Sequence, residues 1–407
     1  MNALDLHVVA DDDLSARMRA RFPAAREWTY LNVGSRGIIS DAARQAAVEL
    51  VDGHWSVDVS KEKINPLLVT CKDEFARLIG GDPSEVAVTK NVSEGLNTIA
   101  TAIDWQPGDN VVASSDLEHA NNVYLWYWLR RFGVEVRAIP PRDGEIDAEA
   151  LAAAIDKRTR IVTAASVTFT PGFRTNLEII GKACRAHNAL FLVDGVQSCG
   201  VLKLNVHENY IDALATSTSK GLLGLMGLGF LWVRKDWLAR LKPAFVARTS
   251  IATSGHYSEI ESVDFEFATT GERFEVGNPN WVGIAAAARA LQEINEVGIE
   301  RIEAHALALA EKLRRGLEDL GLPACRPATT QALSHLVTVG ERGAGDAYST
   351  RDPVLNAIAA NLTEARVRYS IRRGLLRFGF HMYNTDQDVD KVIAIARNAV
   401  RRTSEHA

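Results

Sequence analysis

ATSTSKGLLGLMGLGFLWVRK, residues 215–235, ends one strand-like apolar run, sets a single lysine, Lys220, behind small hydroxyl residues, and enters a second apolar run through a glycine-rich loop. A charged amine at such a place is costly to bury unless it is paired, neutralised or chemically consumed. A lysine in a surface turn would need no further account. What Lys220 is for has to be decided by the rest of the chain.

Outward from that stretch, the hydrophobic period alternates between strand and helix. Strands are expected at EVAVT (85–89), NVVASS (110–115), EVRAIP (135–140), RIVTAAS (160–166), LFLVD (190–194), ALATS (213–217) and GFLWV (229–233). Helices are expected between them at 93–103, 121–133, 148–155 and 177–188. Strands this apolar, alternating with helices, imply an α/β fold with a mainly parallel sheet sandwiched by helices. After residue 280 come long helices (282–298, 302–321), short strands near 335–340, 368–374 and 376–380, and a last helix from 386, which read as a smaller α+β C-terminal domain. The expected division is a large domain over 20–275 and a small one over 1–19 and 276–407. The nearest thing to a linker is the irregular stretch 252–280.

Composition narrows the function. The 407 residues carry a net charge of −5 without a basic cluster, which argues against a nucleic-acid partner. No apolar run reaches membrane-span length, and the opening residues have no apolar signal core. Four scattered cysteines (Cys71, Cys184, Cys199, Cys325) have no CxxC spacing, so a reducing, cytoplasmic setting is expected. The histidines include no HExxH-type pair, and no metal site is expected.

In parallel α/β sheets ligands sit beyond the carboxyl ends of the strands, and polar residues gather where that rule asks. Val92 and Ser93 open a helix after the first strand, a site suited to phosphate. His119 follows the second, and Thr168 and Thr170 follow the fourth. Asp194 ends a fully apolar strand with Gln197 just beyond, and Ser217, Ser219 and Lys220 follow the next. An acid, an amine, an anion pocket and a flat ring at one sheet edge suit pyridoxal 5′-phosphate, which needs a lysine for its Schiff base and a carboxylate at its ring nitrogen.

These motifs resemble the class V aminotransferase superfamily of fold-type I pyridoxal-phosphate enzymes, the branch with cysteine desulfurases, isopenicillin N epimerase-like proteins and C–S lyases. The resemblance runs from YLNVGSRG at 30 to HMYNTDQDVDKV near the end. It implies NVSEGLN as the phosphate turn, His119 as the ring-stacking residue, Asp194 at the pyridine nitrogen and Gln197 at the phenolic oxygen. It further implies Ser217 on the phosphate, Lys220 as the Schiff-base lysine, Asn278 in RFEVGNPN reaching the phosphate of a neighbouring subunit, and Arg377 on the substrate carboxylate. A homodimer with active sites at the interface follows from the same resemblance.

The departures are informative. Ser219 stands where the desulfurase branch usually has histidine, and Asn278 replaces a threonine. Only Leu375 and Leu376 separate Gly374 from Arg377, where desulfurases carry a long loop with the reactive cysteine. Persulfide-forming sulfur transfer is therefore disfavoured. The expectation is an enzyme acting on an α-amino acid, a lyase or epimerase, with an aminotransferase giving a 2-oxo acid as the alternative and a desulfurase-like or a non-catalytic cofactor-binding protein behind it. A dinucleotide oxidoreductase is poorly supported, since the glycines at 224, 227 and 229 follow Lys220 in the wrong order for that fingerprint. Arg36 and Arg248 are candidates for a second anionic group on the substrate, and Arg377 is expected to stand hydrated in an open cleft until a carboxylate arrives.

Overall fold

The computed structural model describes residues 10–114, 116–252 and 264–405, so residues 253–263 of the irregular stretch lie outside the described residues. Seven strands form one sheet: β1 (Val86–Thr89), β2 (Asn110–Ser114), β3 (Glu135–Ile139), β4 (Thr159–Ala165), β5 (Leu190–Asp194), β6 (Ala213–Ser217) and β7 (Gly229–Val233). Their spatial order is β1-β7-β6-β5-β4-β2-β3. All neighbours are parallel except at β7, which runs antiparallel to both β6 and β1. The physical cause is the short connection over 218–228: a parallel return needs a crossover of a dozen residues or more, and the Lys220 loop has no helix to make one. Every residue of β1, β2, β5, β6 and β7 is buried, as expected for a sheet covered on both faces.

The longer helices are α1 (Asp41–Trp55), α2 (Lys61–Ile79), α3 (Val92–Thr101), α4 (Leu177–His187), α5 (Trp281–Val297), α6 (Ile299–Glu318), α7 (Pro353–Glu364) and α8 (Asp386–Glu405). Helices α1 and α2, absent from the sequence reading, both pack against α5. Gly95 brings α3 onto the sheet: a Cβ there would stand 2.9 Å from the Ala215 Cβ on β6. The expected aromatic helix over 121–133 is instead broken into short turns at 120–122, 124–128 and 129–132. Asn122 is turned into the core, where its Oδ1 accepts from the Trp126 indole and the Thr163 hydroxyl, both at 3.1 Å. The Thr163 bond, which draws Asn122 onto β4, competes with a continuous helix.

A second, antiparallel sheet holds β8 (Leu336–Val339), β9 (Ser370–Arg372) and β10 (Leu375–Gly379) in the order β9-β10-β8. Residues 29–32 run beside it: Thr29–Tyr30 pairs with Val367–Arg368, and Asn32 bridges Gly379. This pairing carries the turn at 34–37 to the edge of the large sheet. Among the described residues no helix is long and apolar enough to cross a membrane.

Candidate active site

At the carboxyl edge of the large sheet, helix α3 starts under an Asn91 cap, whose side chain accepts from the Glu94 amide at 3.0 Å. The Val92 amide donates to Ser217 Oγ at 2.8 Å, tying the helix start to the end of β6. The Ser93 N–H is one of the donors a helix start leaves unpaired, and Ser93 Oγ accepts from Asn121 at 2.7 Å. Gly229 permits this closeness, since a Cβ there would lie 3.0 Å from the Asn91 backbone and 2.4 Å from the Thr216 carbonyl. The result is a small-residue cradle of hydroxyls and amides.

Asp194 is 3% exposed. Its Oδ1 accepts from the Val196 amide at 2.9 Å, and Oδ2 has no hydrogen-bond partner among the described residues. Burial pushes its carboxyl up, opposed by that amide and by the positive charge of Lys220. The adjacent strand end brings in a second acid that sequence reasoning passed over. Glu118 is buried, accepting from the Ala165 amide at 2.7 Å and from Asn122 at 3.3 Å. Burial, reinforced by Asp194, pushes it up to about 8. Its position beside His119 in LEHANN was the available signal.

Lys220 is partly exposed at the cleft, and no hydrogen bond is made by its amine among the described residues. Desolvation first, then the charges of Arg377 and Arg372 against the pull of Asp194, bring it down to about 8. The loop behind it is stitched by Gly224 N–H to Thr218 O and by Thr218 Oγ1 to the Leu225 carbonyl, at 2.8 and 2.6 Å. From the other side, Gly37 donates to the Ser219 carbonyl at 2.8 Å, and a Cβ at Gly37 would meet the Lys220 carbonyl at 2.3 Å. Ser219 is itself half-buried beside the lysine.

His119 lies half-buried with its ring edge-on to Phe169 at 5.0 Å. Burial and then Lys220, Arg372, Arg377 and Arg373 lower its pKa, so four cations act on one imidazole. Thr168 Oγ1 caps the turn behind it, accepting from the Gly172 and Phe173 amides at 3.0 and 2.9 Å. Thr170 is fully buried with its hydroxyl unpartnered. Gln197 Nε2 donates to the Gly34 carbonyl at 3.0 Å.

Arg377 corrects one expectation. It is 1% exposed and held by neutral acceptors: Nε to Ser370 at 3.2 Å, Nη1 to the Phe169 carbonyl at 2.9 Å and Nη2 to Ser35 at 2.9 Å. It does not stand hydrated in an open cleft, because β10 is paired on both sides and roofed by 34–35 and 169. Burial, then Arg372, lowers it to about 9. No carboxylate forms an ion pair with it among the described residues. Arg372 and Ser35 belong to the same cluster, Arg372 donating to Ser35 Oγ at 3.1 Å. The alternation of Ser370 and Arg372 along one strand was the signal for it.

Three further expected residues lie toward the surface or in turns. Arg36 is exposed, its carbonyl accepts from the Tyr30 hydroxyl at 2.8 Å, and its charge acts on Tyr30. Arg248 opens a short turn (Arg248–Ser250) whose Ser250 hydroxyl donates to the Glu275 carbonyl at 2.9 Å. Asn278 is exposed in a cleft of ≈ 250 Å³ lined also by Thr89, Lys90 and Glu94. Burial pushes the Cys199 thiol up to about 12 and raises Cys71, Cys184 and Cys325 as well, which disfavours the thiolate.

An amine without a partner, a buried carboxylate with one open oxygen, an unpartnered Thr170 hydroxyl and a helix-start cradle fit pyridoxal 5′-phosphate as a donor set. The sequence profile of aminotransferase class-V matches residues 43–392. The chain belongs to that family. Pyridoxal 5′-phosphate is the cofactor of class V enzymes. A Bacillus subtilis protein named an uncharacterized aminotransferase, YcbU, is 26% identical over 388 residues, covering 94% of this chain and 97% of its own. A probable cysteine desulfurase of Pyrococcus abyssi is 26% identical over 346 residues, covering 80% of this chain and 81% of its own. Among solved structures, the apo cysteine desulfurase of Thermococcus onnurineus superposes with a TM-score of 0.83 at 23% identity, covering 97% of this chain and 100% of that one. The cystine C–S lyase C-DES, in complex with its product cysteine persulfide, gives 0.80 at 26%, covering 92% and 99%.

Proposed function

We propose that this class V enzyme is a lyase acting on an α-amino acid with a leaving group at Cβ, with Lys220 as the covalent anchor and proton carrier. The observation that carries the reading against sulfur transfer is the turn between β9 and β10. Arg372 pairs directly with Leu375, and Arg373 and Gly374 both take positive φ, +52° and +87°, a two-residue hairpin. Such a turn has no room for a thiol-bearing loop, and the four thiols elsewhere are held as neutral groups. Loss of a β-substituent needs no protein thiol.

When bound, pyridoxal 5′-phosphate supplies an electron sink for the bond broken at Cα. The work of the chain's own residues follows from their positions. Asp194 Oδ2 keeps a proton on the ring nitrogen, a charge its buried carboxylate needs for compensation. Lys220, with its pKa near 8, is poised to take the α-proton near neutral pH. Arg377 offers its remaining N–H groups to the α-carboxylate, orienting the Cα–H bond. His119 would cover the cofactor ring, Ser93, Ser217 and the Val92–Ser93 helix start would hold its phosphate, Gln197 would meet its phenolic oxygen, and Thr170 would line the same pocket. Product analysis tests the reading: a β-substituted alanine should yield a 2-oxo acid and ammonia in equal amounts. Retention of the amino group on the protein would favour an aminotransferase, and an inverted stereocentre an epimerase.

The same reading includes a homodimer. Gly277 has φ +74° with nothing within 4 Å of a Cβ placed there, and Asn278 is exposed beside it, as suits a segment that meets a second copy. Mixing a Lys220→Ala chain with an Asn278→Ala chain should restore activity in part of the hybrid dimers, and full activity of a monomer would refute the arrangement.

A further inference from the structure

We propose that Arg372 binds a second anionic group on the substrate, so that the preferred substrate is a β-substituted alanine whose substituent carries a carboxylate or a sulfur oxyacid. This rests on the amino-acid lyase reading. Residues two apart on a strand share a face. Ser370 and Arg372 of β9 accordingly both turn to the cleft, the first to Arg377 and the second to Ser35. Ser35 Oγ accepts from Arg372 at 3.1 Å and from Arg377 at 2.9 Å, so the two guanidinium groups stand no more than two hydrogen bonds apart. Neither is ion-paired with a carboxylate among the described residues. The acid on this rim, Asp116, is taken by Arg342 at 2.5 Å and Arg373 at 3.5 Å.

The two arginines differ in access. Arg377 is sealed beneath the 34–35 turn and can serve one α-carboxylate, whereas Arg372 is half-buried and reaches the cleft. Arg372 is also held in place. Its guanidinium lies 5.4 Å from the Tyr348 ring and 6.0 Å from the Phe169 ring, and Nη1 donates to the Ile371 carbonyl at 2.7 Å. Asp346 fixes the Tyr348 loop by accepting from the Tyr348 and Ser349 amides at 2.7 and 2.8 Å, and its carbonyl accepts from Gly374 at 3.2 Å. A fork fixed in advance loses little freedom on binding an anion. With Arg377 answered by the α-carboxylate and Arg373 by Asp116, Arg372 is the cation left for the side chain.

S-carboxymethyl-L-cysteine and S-methyl-L-cysteine differ chiefly in the anion and make the test. In each, the α-proton passes to Lys220 Nζ and the Cβ–S bond breaks with its electron pair leaving on sulfur, as thioglycolate or methanethiolate. Hydrolysis then gives pyruvate and ammonium. Pyruvate formation gives KM, and ligand-induced shifts in Tm of the loaded Lys220→Ala protein give binding without turnover. The wild type should favour the carboxymethyl compound by about tenfold or more in KM. Arg372→Gln should erase most of that ratio, and Arg372→Lys should restore part of it. An equal loss for both compounds would mean that Arg372 helps to hold the α-carboxylate or only packs the loop, and would overturn the inference while leaving the lyase reading standing. A wild type without preference overturns it too. If neither compound nor alanine shifts Tm or the absorbance of the bound cofactor, both the functional reading and the inference fall.

Discussion

The two ends of the site are built differently. The cradle near α3 is made of backbone amides, small hydroxyls and two buried acids, all delivered by consecutive strands of one sheet. The opposite end is made of arginines from the hairpin 370–379, a serine from 34–37 and the Phe169 segment, chain regions hundreds of residues apart. The first end follows from a local rule, that parallel strands present their carboxyl termini together. The second exists only because Thr29–Tyr30 pairs with Val367–Arg368 and lays the 34–37 turn across both sheets. On the proposed reading, the chemistry common to the family belongs to the first end and the choice of substrate to the second.

Lys220→Ala should cut deepest into that division. Turnover should fall by roughly 10²–10⁴-fold, and borohydride should no longer fix the cofactor to the chain, with circular dichroism unchanged. Fixation on Lys90 or Lys182 instead would move the cofactor end elsewhere. Arg377→Lys strikes the other end. It keeps the charge but loses the planar fork, so amino-acid binding should weaken by about 1–3 kcal/mol, read by absorbance titration with amino acids and with simple amines. Equal binding of amines lacking a carboxylate, unchanged by the mutation, would remove Arg377 from substrate binding.

Gly37→Ala tests the seam between the ends. Its Cβ would press on the Lys220 carbonyl at 2.3 Å, so backbone must move. A loss of about 1–3 kcal/mol in stability is expected, with slower cofactor capture, measured by denaturant unfolding and stopped-flow absorbance. A neutral result would show that the 34–37 turn is free to slide. The pH dependence of capture sharpens the same point: the neutral amine is the nucleophile, so with Lys220 at about 8 the rate should rise with pH up to that value and level off above it. A rise continuing toward pH 10 would place the lysine in water and away from Arg377 and Arg372.

A linkage test is available at Glu118. Its folded pKa of about 8 lies above the ordinary 4.5, so the folded state holds a proton that the unfolded state has released between those values. Its unfavourable contribution is therefore absent below pH 4.5 and grows as pH rises toward 8. In the cofactor-free protein, Glu118→Gln should flatten the fall in Tm between about pH 5 and 8. An unchanged slope would mean that Glu118 is ionised beside Asp194.

Period and punctuation in the sequence sufficed for the seven strands of the large sheet and for the residues just past their ends, because a strand buried on both faces must be apolar throughout and a polar residue at its tip must have a use. The gathering of Lys220, Asp194, His119, Ser93 and Ser217 at the sheet's carboxyl edge was legible for that reason, while their roles rest on the proposed function. The helices α1 and α2 were not, since much of their apolar faces is covered by α5, more than 200 residues away. Nor were the partners of Arg377. A guanidinium on an apolar strand announces that something must satisfy it; Ser370 comes with the hairpin register, but Ser35 and the Phe169 carbonyl are brought from distant chain by tertiary docking. The raised pKa of Glu118, the exposure of Arg36 and the placing of Arg372 beside Ser35 are likewise set in three dimensions. Hydrogen bonds and desolvation act over a few ångströms in space, and sequence distance carries no record of them.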